Sequence, residues 1–587
     1  MKNSESRISN GVFAILFILV LLPLAAVLFQ IVCPGLEISK FSLENISILG
    51  DIFTRPLWRK ALFNSLALAG GTTVCGLIVA AFLAWVRVKY RFKGAKMLDL
   101  AAWALMIIPS FILAQGWVYF ASGNGVAKAW LGLDWMSGFV FSYPGLVTVM
   151  TLCKWPMAYI TIRTALEWEP VRLMHAARMN GASGFQVWRD IQLPLMLPAL
   201  CSAAMLIFMD TVGDYGLSST ITAVYSYPTL PYTIYSAICT SPARFDMAGV
   251  LSLCLMLLIV LAMFIQYKAL GAKRFDFLDN GTQQAVPQRL SRGRNVCLSA
   301  VVWIFVLISI GIPAVSSLVM SFSSAISLTK FTFTLENYKN ILSADSTLLV
   351  GIAHSLGLAV IAAVIGLVIA FCCAYVLTYA KTPLKKAIDM TTLVAMAVPG
   401  IVLGVGYIFV WNQKWLVPIG LHLYGTPAIL VLAVVAAAAV LVSTILLPVF
   451  RITGTSMEPN LNDGDIIVAM KTDHFQRGQV CGFYFNNKLL LKRVIATAGM
   501  WVEIDDEGFV FVDGEKLEEP YVTDRSKGIS DLEYPVQVPD GCVFVLGDHR
   551  STSVDSRSSV LGFIQESETV GQIVLRVWPL EDFGLIE

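Results

Sequence analysis

Ten apolar segments, each long enough to cross a bilayer, leave this chain few folds to choose from. They lie near 11–33, 62–86, 99–121, 139–162, 195–217, 246–270, 297–320, 352–378, 389–412 and 427–450. Apolar runs of this length predict helices, because a bilayer offers no water to satisfy an open backbone. A hydrophobic share of 57%, only 14% charged residues and a mean hydropathy of +0.71 exclude an ordinary soluble globule. The first run is about 23 residues long, too long for a signal-peptide core, and has no small-residue cleavage site, so it reads as a retained span. The net charge of +2 calls for no nucleic acid. The cysteines are scattered, with only Cys372 and Cys373 adjacent and no CxxC, and read as small hydrophobes.

Basic residues gather in three gaps. These are Arg87, Lys89, Arg91, Lys93 and Lys96; Lys268, Lys273, Arg274, Arg289, Arg292 and Arg294; and Lys381, Lys385 and Lys386. All three gaps fall on the side shared with the N-terminus, which predicts an N-terminus-in, multi-pass arrangement. The spans also repeat. Ser42–Asn45 returns as Thr334–Asn337, Asn64-Ser65-Leu66 as His354-Ser355-Leu356, Gly76–Ala80 as Gly366–Ala370, and Pro109 as Pro399, at an offset of about 290 residues. Duplicated halves of this kind point to a transporter with its path at the repeat interface.

In the first repeat a polar stretch carries His175, Ala176, Ala177 and Gly181, then Ile191, Leu193 and Pro194. Small alanines permit close helix packing, a glycine permits a turn, and a proline opens the next helix. This stretch resembles the coupling loop of ABC-importer permeases, with His175 where that family usually has glutamate. The resemblance implies an ATPase subunit docking on residues 173–194. The next span holds Asp210 and Asp214, four apart on one helix face, where they would line a transport path or pair within the bundle. The pattern is similar to fused two-repeat permeases of the ferric-iron type. The second repeat follows the first only to about 430–440. Where its coupling loop should stand, near 465–485, the chain reads Asp465-Ile466-Ile467-Val468.

From about Ala437 the texture changes to short β-rich runs: Ile466–Ala469, Val480–Phe485, Leu489–Ile495, Phe509–Val512, Val543–Leu546 and Gln572–Val577. Four ordered motifs accompany them: Gly454-Thr455-Ser456-Met457-Glu458-Pro459, Asp463-Gly464-Asp465, Lys492-Arg493-Val494-Ile495, and Gly547-Asp548-His549-Arg550 with Ser553, Asp555, Ser556 and Arg557. Ser456 needs a base to act as a nucleophile, and Lys492 can serve if its pKa falls by roughly two to three units. Desolvation by Leu489, Leu490, Leu491 and Val494 is the expected means. In these motifs the segment resembles type I signal peptidase of the short Gram-positive form. The resemblance implies a Ser456–Lys492 dyad, with Ser553 orienting the lysine. Asp548, Asp555 and Arg557 then form a structural ion-pair set, and His549, where the family has asparagine, is a turn residue. Some relatives place an oxyanion-hole serine where this chain has Gly454, so backbone N–H groups take that role. A preprotein would add as a strand beside Ile452, Thr453, Gly454 and Thr455. No metal and no cofactor are expected.

The expected fold is therefore multi-domain: an all-α polytopic membrane region of about ten helices in two repeats, the second incomplete, then a mostly-β domain. The expected boundaries are 1–296 for the first repeat and linker, 297–436 for the truncated repeat, and 437–587 for the peptidase, with an anchor to about 450. The expected activity is signal-peptide removal from secreted preproteins in a bacterial plasma membrane. The alternative is an importer permease with an idle tail. Ten spans return the chain to the inner side, whereas a signal peptidase works outside. One segment that does not cross, a join of two genes, or an inactive tail would each resolve that conflict.

Overall fold

The computed structural model describes residues 2–36, 41–167, 171–222, 224–271, 287–324, 331–343, 347–379, 382–418, 420, 422–423, 425–435, 449–452, 454–470, 472, 474–485, 488–528, 530–566, 569–579, 582 and 584–586. It divides into two compact units, one of residues 17–360 and 393–433, the other of 1–16, 361–392 and 434–587.

The first unit is helical. Its principal elements are α1 (Leu22–Val32), α2 (Pro56–Lys89), α3 (Ala95–Ile107), α4 (Ser110–Ala121), α5 (Tyr143–Glu167), α6 (Val171–Met179), α7 (Gly184–Val187), α8 (Leu193–Val212), α9 (Gly216–Thr222), α10 (Leu230–Cys239) and α11 (Phe245–Gly271). The second repeat contributes α12 (Arg292–Val306), α13 (Ile312–Ser321) and α14 (Gly400–Trp411). Among the described residues of the whole chain, seven helices are long and apolar enough to cross a membrane, or eight if the bent pair α3–α4 is one span.

The expected continuous span near 99–121 is in fact broken. Ile108 is extended and Pro109 caps α4, so the helix turns by 105° at the proline. The residue before a proline is pushed out of the α region, which explains the position of the break. In the second repeat Pro399 likewise caps α14, with backbone angles within a few degrees of those of Pro109. Each repeat also opens with a π turn, Phe17–Leu21 and Leu307–Gly311, ahead of a proline in the next helix, Pro23 or Pro313.

The repeats exchange these opening helices. Gly116 of α4 lies against the backbone of Pro313, and Gly406 of α14 lies against the backbone of Pro23. Both glycines are needed for the same reason: a Cβ at either would overlap a carbonyl. Trp155, fully buried in α5, donates through Nε1 to Ser309 Oγ at 3.3 Å, and Ser309 donates to the Leu152 carbonyl at 2.6 Å, which seats the second repeat's opening helix on the first.

The second unit contains the β domain. Its strands are β1 (Val449–Arg451), β2 (Ile466–Met470), β3 (Val480–Phe485), β4 (Lys488–Thr497), β5 (Trp501–Ile504), β6 (Val510–Val512), β7 (Glu515–Lys516), β8 (Val536–Gln537), β9 (Cys542–Leu546), β10 (Ile564–Gln565), β11 (Thr569–Trp578) and β12 (Gly584–Leu585). An 8-stranded sheet runs β10-β9-β4-β3-β11-β2-β1 with β12 paired to β11, and a 4-stranded sheet runs β8-β5-β6-β7. All six sequence-predicted strands are present. The apolar run expected as a helix through Phe450 departs from that reading at its end. Val449 and Phe450 belong to β1 and pair with Val468 and Ile467. Residues 436–448 of that run lie outside the described residues, as does Thr453.

Candidate active site

Lys492 sits near the middle of β4, directly opposite Cys481 of β3. Alternation along a strand sends Lys492 to the face shared with Leu490, Val494, Cys481 and Phe483. Leu489 and Leu491, expected from the sequence to desolvate the lysine, pack on the other face with Ile452, Met457 and Leu461. Lys492 is 2% exposed. Burial lowers its pKa from 10.5 to about 8, with Asp555 partly opposing the fall. The Cys481 thiol is pushed up to about 12 by its own burial, so it stays neutral beside the amine.

Ser456 lies in the turn that follows β1, and Lys492 Nζ donates to its Oγ at 2.8 Å. The serine carbonyl accepts from the His549 N–H at 3.1 Å, which ties the turn to the segment after β9. Among the described residues the Ser456 N–H has no acceptor. Gly454 is in the left-handed region at φ 106 and donates to Asp463 Oδ1 at 2.9 Å. The Ile452 N–H donates to the Asp465 carbonyl at 2.8 Å, and its own carbonyl accepts from Gly464 at 2.9 Å. Thr455 is exposed.

Three buried ion pairs stand behind the pair. Asp548 receives Arg493 Nε and Nη2 at 3.0 and 2.8 Å. Asp555 receives Arg557 Nε and Nη2 at 2.8 and 3.0 Å, and also the Gly547 N–H at 3.0 Å. Arg550 bonds to Glu519 at 2.5 Å. Each charge is almost wholly buried, so each is tolerable only because it is paired and hydrogen-bonded. Arg493 and Arg550 stand in motifs read from the sequence but were given no role there, and Glu519 stands in no motif that could have drawn attention to it. Ser553 was expected to orient the lysine. Its Oγ is buried without a hydrogen-bond partner among the described residues, while its N–H donates to the His549 carbonyl at 3.2 Å. His549 is part-exposed, bonded through Nδ1 to Thr552 and 3.8 Å from Asp524.

In the helical unit, α6 and α7 are two short helices joined at Gly181, whose φ is 86. Ser183 and Gln186 form a capping box at the start of α7, and a π turn over Trp188–Gln192, which holds Ile191, leads into α8 at Leu193 and Pro194. Ala176 and Ala177 lie on α6. Asp210 and Asp214 share one partner: Lys154 of α5 reaches them at 3.0 and 2.6 Å. Asp214 also caps α9 by accepting from the Leu217 N–H at 2.7 Å. These groups line a cavity of about 360 Å³ beside Pro109 and Ser110.

Residues 426–578 match the family described as signal peptidase, peptidase S26. Residues 73–276 match the binding-protein-dependent transport system inner membrane component. Signal peptidase I of Bacillus caldolyticus is 31% identical over 166 residues, 25% of this chain and 90% of the relative. Signal peptidase IB of Staphylococcus aureus strain COL is 34% identical over 154 residues, 23% of this chain and 79% of the relative. The molybdenum transport system permease protein ModB of Escherichia coli K12 is 31% identical over 194 residues, 32% of this chain and 83% of the relative. A crystal structure of a signal peptidase I from Enterococcus faecalis V583 aligns with a TM-score of 0.15 at 27% identity, covering 17% of this chain and 96% of that one. The chain thus belongs to two families, to the signal peptidases through its C-terminal part and to the binding-protein-dependent transport permeases through its N-terminal part.

Proposed function

We propose that the β domain is a serine endopeptidase that removes signal peptides from secreted preproteins with a Ser456–Lys492 dyad. The observation that carries this reading is the 2.8 Å contact between Ser456 Oγ and a buried lysine amine whose pKa is about 8. Neutral Lys492 takes the Ser456 proton as the alkoxide attacks the scissile carbonyl. Having no acceptor among the described residues, the Ser456 N–H is the donor for the oxyanion. Protonated Lys492 then gives its proton to the leaving amine, and an acyl-enzyme remains on Ser456. Water attacks that ester with Lys492 again as base, releasing the carboxylate and regenerating the serine. An incoming strand would use the Gly454 carbonyl and the Thr455 N–H, because both backbone groups of Ile452, the Gly454 N–H and the Thr455 carbonyl are already bonded. Gly547, Asp548 and Asp555 hold the frame, and Ser553 orients the lysine when substrate is present. The test is cleavage of a model preprotein by membranes containing wild type, Ser456→Ala or Lys492→Ala. Wild type should cleave and neither variant should; equal cleavage by all three would sink the reading.

A second reading applies to the N-terminal part. The α6–Gly181–α7 corner exposes Leu173, Met179, Phe185 and Trp188, a set of apolar groups that favours docking of an ABC ATPase subunit on residues 173–194. The cavity beside Asp210 and Asp214 is then the candidate path for a small inorganic solute, of which the relative's molybdenum is one instance. Co-purification with an ATPase subunit, lost in Gly181→Pro, supports this, since proline cannot adopt a positive φ. Failure of any ATPase subunit to co-purify counts against it.

A further inference from the structure

Asn460, four residues after Ser456 in the same turn, belongs to no motif role described above. Its Nδ2 donates to Asp548 Oδ2 at 2.9 Å and to the Tyr521 carbonyl at 2.8 Å. Its own carbonyl accepts from Arg576 Nη1 at 3.0 Å. Both side-chain partners are acceptors only, so the NH2 end of the amide must face them, and only an NH2 group can serve both at once. Asp548 is itself gripped by Arg493, the residue after Lys492 on β4. The guanidinium of Arg493 also donates to the Gly478 carbonyl and stacks on the ring of Tyr521, 4.2 Å from its centre. A continuous chain of charged hydrogen bonds therefore runs from the lysine strand through Arg493 and Asp548 to the amide of Asn460, and so to the serine turn.

We propose that Asn460 is a positioning residue of the Ser456–Lys492 pair, its amide locking the serine-bearing turn to the lysine-bearing strand through Asp548 and Arg493. The His549 N–H to Ser456 carbonyl bond fixes one end of the turn, and Asn460 fixes the other. Without it the turn keeps its apolar anchors Met457 and Leu461 and stays folded, but loses its register against β4. A displacement of about 1 Å at a reacting pair costs about 100-fold in rate. The dicarboxylate alternative is worse: Asn460→Asp sets an acceptor against two acceptors.

This inference rests on the dyad reading above, and its test separates the two. The full chain in detergent is compared with Asn460→Leu, which keeps the volume and removes both donors. The first readout is peptide cleavage: kcat falls about 10–100-fold with KM little changed, because the tether holds the reacting groups and not the substrate. The second readout needs no cleavage. Reductive methylation of Lys492, followed by mass spectrometry of its peptide across pH, titrates the amine directly. Of the titratable groups facing Lys492, Asp548 and Asp555 remain paired with Arg493 and Arg557, and the Cys481 thiol stays neutral. The methylation midpoint should therefore move up in the leucine variant, as the retreat of Ser456 admits water to the amine. An unchanged midpoint and unchanged kcat overturn the proposal. A wild type that cleaves nothing, with a midpoint that still moves, sinks the peptidase reading and leaves the tether standing. If the leucine variant does not fold, Asn460→Ser, which keeps one donor, carries the same comparison with a smaller shift.

Discussion

A buried amine costs stability, and at Lys492 the sign of that cost can be worked out. Its folded pKa of about 8 lies below the ordinary 10.5, so folding favours the neutral form. Below pH 8 both states hold the proton and the folded chain must bury the charged amine, which opposes folding by about 3 kcal/mol; between pH 8 and 10.5 the unfolded chain binds the extra proton. The penalty shrinks as pH rises from 8 to 10.5 and vanishes above. Lys492→Met should therefore raise thermal stability at pH 7 by up to about 3 kcal/mol, with the gap closing by pH 10.5. Melting curves of the two proteins across pH check this, and a gap that does not narrow between pH 8 and 10.5 would refute it. In cleavage assays the same pKa predicts that kcat/KM falls about tenfold per pH unit below 8. At this scale the sequence was informative where chemistry sits in short ordered motifs, as for Ser456 and Lys492. It was silent on Asn460 and Glu519, whose partners lie 88 and 31 residues away. The misassigned Leu489 and Leu491 were within reach of the sequence: a period of two places them opposite Lys492.

The helices show how one residue type can decide an element. Pro109 and Pro399 break spans that hydropathy alone reads as continuous, because a 19-residue average does not see a single backbone restriction. The fixed spacing of the repeats was visible in sequence, but the reciprocal seating of Gly116 on Pro313 and Gly406 on Pro23 was not, since no local signal marks a glycine as a contact. That pairing makes a controlled prediction. Gly116→Leu and Gly406→Leu should each destabilise the helical unit by about 1–3 kcal/mol through overpacking. Gly404→Leu, one turn-fraction away on the same helix, should do little, because a Cβ there meets nothing within 4 Å. Thermal unfolding in detergent distinguishes them. Equal behaviour of Gly404→Leu and Gly406→Leu would mean that the close approach to Pro23 is not what the glycine serves.

For the whole molecule the decisive quantity is the parity of membrane crossings before Ser456. The basic loops at 87–96, 268–294 and 381–386 are expected on one face. The first repeat has a helix pair bent by 105° at Pro109, and in the second repeat Pro399 stands at the matching N-cap. The three basic loops fall on one face only when both proline-broken segments count as crossings, because a re-entrant reading of 95–131 would send 268–294 to the face opposite 87–96. With both segments counted as crossings, the side of the β domain turns on the apolar run 427–450. If that run crosses, the domain shares the face of the basic loops; if it does not, the domain lies opposite. Residues 449–451 already form a strand of the 8-stranded sheet, which leaves at most 427–448 for a crossing. Processing of exported preproteins requires the side opposite the basic loops. A cysteine at Asp506, whose side chain is 93% exposed, can report it. Replacing the native cysteines outside the buried core and adding a membrane-impermeant maleimide to intact cells should label Asp506→Cys, while a cysteine at Lys93 in the first basic loop should react only after the cells are opened. Labelling of both positions only in opened cells would place Ser456 beside the basic loops, and its substrates would then have to be peptides presented on that face.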